Sequence, residues 1–102
     1  MPRKEHHSTP TIVGGFLYSD LPAIPLDTPA FFDWLSLHAT FYFDSPIGSF
    51  TARCEPRAAS FFYYAFRRYH KRLYKAYLGR VADLSAARLL QVAQLLADKA
   101  GA

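Results

Sequence analysis

Two stretches of this chain alternate apolar and polar residues in steps of two on either side of a turn signal, and the simplest structure with that pattern is a β-hairpin. In "ATFYFDSPIGSFTARCE", Phe41 and Phe43 share a face before the turn at Ser45, Pro46, Ile47 and Gly48, and Phe50, Ala52 and Cys54 share one after it. In "SFFYYAFRRYHKRLYKAYLGR", the runs from Ser60 to Arg68 and from Leu73 to Leu78 are predicted to be strands joined by a tight turn at His70 and Lys71, with Gly79 ending the sheet. This second stretch packs eight aromatic rings and six Lys or Arg residues into 21 positions. Pairing the strands about a two-residue turn explains why. Ala65 then faces Ala76, Tyr63 faces Leu78 and Arg67 faces Tyr74, while Phe66 faces Lys75, Tyr64 faces Tyr77 and Arg68 faces Leu73. Phe61, Tyr63, Ala65, Ala76 and Leu78 make an apolar set expected in the core. Phe62, Tyr64, Phe66, Arg68, Lys75 and Tyr77 mix rings with cations and are expected to face solvent or a partner. A slip of one residue would exchange the two sets.

The remaining segments supply the elements that pack on this sheet. In "DTPAFFDWLSLHA", Thr28 is a capping residue, Pro29 suits the first helical position, and Phe31, Trp34, Leu35 and His38 fall at helical spacing, which predicts a helix from about Pro29 to His38. Ser85 caps a second predicted helix in "SAARLLQVAQLLADKAGA". Its polar stripe, Arg88, Gln91, Gln94 or Leu95, and Asp98, is narrow, so most of its circumference should be buried across the sheet. Met1 to Asp27 shows no sustained period and holds four of the seven prolines, so it reads as a flexible tail and an extended lead-in. The expected fold is therefore α+β: a short N-terminal helix, an antiparallel sheet of three to four strands in two hairpins, and a C-terminal helix packed on one sheet face. The single domain should span residues 28–98, with residues 99–102 as a tail. At 102 residues the chain fits one domain with one modest core.

Several function classes are disfavoured. No 18-residue apolar run or signal peptide is present, which implies a cytoplasmic protein with no membrane partner. Cys54 is the only cysteine, and His6, His7, His38 and His70 show no ligand spacing, so neither metal nor cofactor is expected. Asp33 and Glu55 have nothing to place them together as an acid/base pair, and no phosphate-cradling glycine loop or nucleophile elbow occurs. The chain does not read as an enzyme.

Charge by position is more informative. Residues 1–44 sum to −3, the last 22 residues balance, and residues 45–80 carry eight Lys or Arg against Glu55 alone. A polyanion is drawn to that segment. The expected function is nucleic-acid binding, with double-stranded DNA preferred because a narrow sheet of two or three strands can enter the major groove. The candidate contacts are Arg53, Arg57, Arg68, Lys71, Arg72 and Lys75 for phosphates or bases, and Thr51, Tyr64, Phe66 and Tyr77 for packing or hydrogen bonds. The alternative is a protein-interaction or self-association module using the same aromatic face or a sheet edge.

Four pieces carry a family resemblance: "TPAFFDWL", "FTARCE", "YYAFRR" and "LYKAYLGRVADLSAARL". Together they resemble a small module in the N-terminal part of bacterial multidomain LuxR-like regulators with a maltose-activator-type ATPase. The likeness spans roughly residues 28 to 97 and implies transcription regulation, with no chemistry attached to the module. Where that family has lysine, tryptophan and a turn glycine, this chain has Cys54, Tyr63 and Lys71. The strand and helix order is more loosely similar to the arm-binding domains of phage-type integrases and other three-stranded transcription-factor domains, which present a sheet to DNA.

Overall fold

The computed structural model describes residues 9–19, 22–57 and 60–101. The two expected hairpins form its longest strands: β4 (Thr40–Asp44) with β5 (Ser49–Arg57), and β6 (Ser60–Tyr69) with β7 (Arg72–Gly79). Pairing of β6 with β7 follows the alternation, Ala65 opposite Ala76, Phe66 opposite Lys75 and Tyr64 opposite Tyr77. It departs at one place. A bulge between Tyr63 and Tyr64 sets Tyr63 opposite Gly79 rather than Leu78, and Gly79 accommodates it at φ +125°, where a side chain would also collide with Asp83.

The sheet is wider than expected and is not wholly antiparallel. Three short strands, β1 (Thr11–Val13), β2 (Phe16–Tyr18) and β3 (Ile24–Pro25), extend it to seven in the order β3-β2-β1-β4-β5-β6-β7, with β1 parallel to β4. The segment read as a lead-in is thus part of the domain. Its hairpin turns at Gly14 and Gly15, both with positive φ, and it buries Ile12 and Leu17 completely. Residues 1–8, expected to be a flexible tail, lie outside the described residues. Helix α1 (Pro29–Leu37) forms as the capping signal requires, with the Thr28 hydroxyl accepting from the Phe31 N–H at 3.3 Å. Because three strands precede it, α1 is not the N-terminal element.

A 3₁₀ turn (Val81–Asp83) leads into α2 (Ala86–Ala100), which Ser85 caps and which ends at Gly101 in the left-handed conformation. Residues 99–101 therefore close the helix rather than form a tail. Asp27 links the two helices, its carboxylate accepting from the Ala86 N–H at 2.8 Å. Leu89, Val92, Ala93, Leu96 and Ala97 face the sheet, while Leu90 and Leu95 are exposed, so the buried stripe is narrower than the composition suggests. Each fully buried Leu or Val here contributes about 1.5–3 kcal/mol.

Three buried alanines, Ala52, Ala65 and Ala76, align across β5, β6 and β7, and α2 packs on β7 and β6 over the last two. Small side chains in register let the helix approach the sheet closely. From that position Arg88 donates to the Tyr77 and Leu78 carbonyls at 2.9 and 3.0 Å, and Lys99 donates to the Lys75 carbonyl at 3.1 Å. Both helices cover the same sheet face as Phe41, Phe43, Phe50 and Tyr63, which complete the core. Phe61, expected there, is 63% exposed at the end of β6 beyond the bulge. No helix among the described residues is long and apolar enough to cross a membrane.

Candidate nucleic-acid interface

Among the described residues, no helix lies over the second face of the sheet. Cross-strand pairing lays its side chains out in rows: Thr11, Tyr42, Thr51, Phe66 and Lys75 run across β1, β4, β5, β6 and β7, and beside them run Thr40, Arg53, Tyr64 and Tyr77. Of the sequence-predicted contacts, Thr51, Arg53, Tyr64, Phe66, Lys75 and Tyr77 are brought together in these rows, with Arg68 two residues beyond Phe66 on the same face. Lys71 and Arg72 are not on that face: they sit at the hairpin tip, Lys71 in the turn and Arg72 on the opposite parity. Arg57 is the last residue of β5, and its side chain lies outside the described residues.

Rings and cations on the face are stacked on one another. Lys75 Nζ lies 4.4 Å from the Tyr64 ring centre and 5.4 Å from that of Phe66, Arg53 lies over Phe66 at 5.9 Å, and Arg80 over Phe62 at 5.2 Å. Tyr77 packs edge-on against Tyr64 at 5.6 Å and tilted against Phe62 at 6.1 Å. Each exposed cation–ring pair contributes about 0.5–1 kcal/mol, so part of the interleaving stabilises the face itself. The carboxylate among these cations is Glu55, 3.5 Å from Lys75 Nζ; Asp44 lies at the far end of β4. Arg80 belongs to this surface too, beside Phe62, although the alternation did not place it there. The bulge at Gly79 is the reason for Arg80, because it shifts the alternation after the last predicted strand residue.

Below the face, Tyr63 anchors the sheet to α1. Its hydroxyl donates in a shared bond to the Leu35 and His38 carbonyls at 2.8 and 2.7 Å. Burial, reinforced by the neighbouring Cys54, pushes its pKa up to about 12. Cys54 is half-buried, and burial raises its thiol pKa too, which suits a packing residue rather than a nucleophile. Asp33 and Glu55 sit on opposite sides of the molecule, one on α1 and one on the open face.

At the sheet margins, Arg88 and Lys99 bond the Lys75, Tyr77 and Leu78 carbonyls of β7 and Pro25 stands in β3, and among the described residues the open face and the hairpin tip carry the exposed cations of the sheet. Compared with protein families, with curated proteins and with solved structures, the chain matches none.

Proposed function

We propose that the open face of the sheet binds nucleic acid, with duplex DNA as the preferred form. The observation that carries this reading is the gathering of Arg53, Arg68, Lys75 and Arg80 on the sheet face that no helix covers among the described residues, with Glu55, ion-paired to Lys75, in their midst. Thr51, Thr40 and Tyr42 add hydroxyls beside Arg53 at the centre of the sheet, a composition suited to phosphate and sugar oxygens and unlike the apolar centre of a stable protein interface. Four neutralised phosphates give a log-log salt slope of about −3.6. Titration of random duplex and of single strands at increasing salt tests this. Arg53→Glu with Arg68→Glu should weaken duplex binding about tenfold or more, each lost charge-assisted contact being worth about 1 kcal/mol or above. Lys75 is left in place because it already pairs with Glu55. Absence of salt-sensitive binding to any nucleic acid overturns the reading.

A second reading has its own observation. Val13, Phe16 and Tyr18 are exposed on β1 and β2, on the open face but away from the cations. A second copy of the chain would cover them. Sedimentation of the free protein decides: a dimer that Phe16→Ser dissociates, with no nucleic-acid binding, favours this interface.

A further inference from the structure

We infer that the β6–β7 ribbon tip, rather than the broad face, is the part of the molecule that enters the major groove of duplex DNA. The inference deepens the proposed function and rests on it. A sheet of seven strands spaced about 4.8 Å apart is about 29 Å across, far wider than the roughly 12 Å major groove, so its face as a whole stays outside the duplex. One part is narrow enough. Register between β5 and β6 ends at Thr51 and Phe66, and beyond it Arg67, Arg68 and Tyr69 pair with Tyr74, Leu73 and Arg72 of β7 alone. A notch lined by Ser49, Thr51, Phe66 and Arg68 separates this ribbon from β5.

The dimensions and chemistry of the ribbon fit the groove. Two residue pairs, Arg68–Leu73 and Tyr69–Arg72, and the His70–Lys71 turn beyond them, at about 3.4 Å a step, reach about 10 Å, against a groove roughly 8.5 Å deep that admits a two-stranded ribbon. Arg68, His70, Lys71 and Arg72 are all exposed on it, and its eight residues from Arg67 to Tyr74 contain no carboxylate. Leu73, 57% exposed, offers an apolar contact for a thymine methyl beside the arginines that pair with guanine. Arg67 stays at the root, its guanidinium 5.3 Å from the Tyr69 ring and beside Gly48. With the ribbon inserted, Arg53, Lys75 and Arg80 are left to meet flanking phosphates.

Duplex DNA whose cytosines carry glucosylated 5-hydroxymethyl groups tests the inference, because the sugar fills the major groove without altering backbone charge. At one salt concentration the wild-type chain should bind this duplex at least tenfold more weakly than the unmodified one. Lys71→Glu with Arg72→Glu should lose at least tenfold on unmodified duplex and no longer distinguish the two, with melting used to check that it folds. Equal binding of both duplexes by the wild type overturns the ribbon and leaves the proposed function standing. So does a folded double variant that keeps the wild-type discrimination. Absence of salt-sensitive binding to either duplex overturns the proposed function itself, and the ribbon with it.

Discussion

His70 and Lys71 turn the β6–β7 hairpin at φ +49° and +66°, in the left-handed region that two-residue hairpin turns require and that side chains disfavour. The turn position was readable from the alternation, and Lys71 stands where the resembling family has glycine. Lys71→Gly should therefore raise thermal stability, by about 1 kcal/mol or less once the added freedom of the unfolded chain is counted, while removing one cation from the tip. Melting of the two proteins side by side measures it. Tyr63 has the opposite character: its ring is buried and its hydroxyl holds the end of α1, so Tyr63→Phe should cost about 1–2 kcal/mol at neutral pH. Folded Tyr63 keeps its proton to about pH 12, whereas the unfolded chain releases it near pH 10. Across that window the unfolded chain binds fewer protons, so the wild type should lose stability as pH rises from about 10 towards 12. The phenylalanine variant should lack that component, which denaturant titrations at a series of alkaline pH values would reveal.

Among the elements, the second hairpin tests which face is which. Ala65→Trp should crowd α2 and destabilise by roughly 1–3 kcal/mol, whereas Arg68→Ala, exposed on the open face, should change melting little. The opposite result would mean an exchanged register. The long hairpins and both helices were legible because each has many residues in phase and a clear cap or turn. The short strands were not, for a physical reason: three-residue strands offer one buried side chain each, Ile12 or Leu17, too few to show a period. A signal did exist in "TIVGGFLY", since paired glycines between apolar residues favour a two-residue hairpin turn. What no local pattern could announce is the parallel pairing of β1 with β4, which depends on α1 returning the chain across the core. The candidate face was legible in its centre, through strict alternation, and illegible at Arg80, where the bulge breaks it.

For the molecule as a whole, the sheet divides the protein into a structural side and a presenting side, with cations serving both. Exposed cations of the open face and tip should make binding strongly salt-dependent, whereas Arg88 and Lys99 on α2 are spent on backbone carbonyls and should contribute little to it. Comparing salt slopes of Arg88→Ala and Arg53→Ala checks this: only the second should lower the slope, by about one unit. The alanine row also bears on whether the β7 edge is open to another strand. A larger residue at Ala65 or Ala76 would lift the helix and carry Arg88 and Lys99 out of reach of the last strand. Carbonyls that they now occupy would then be free to recruit a strand from another molecule, the first step toward fibrillar aggregation. On this account the methyl groups of Ala65 and Ala76 help to close part of the β7 edge to a strand from a neighbouring chain.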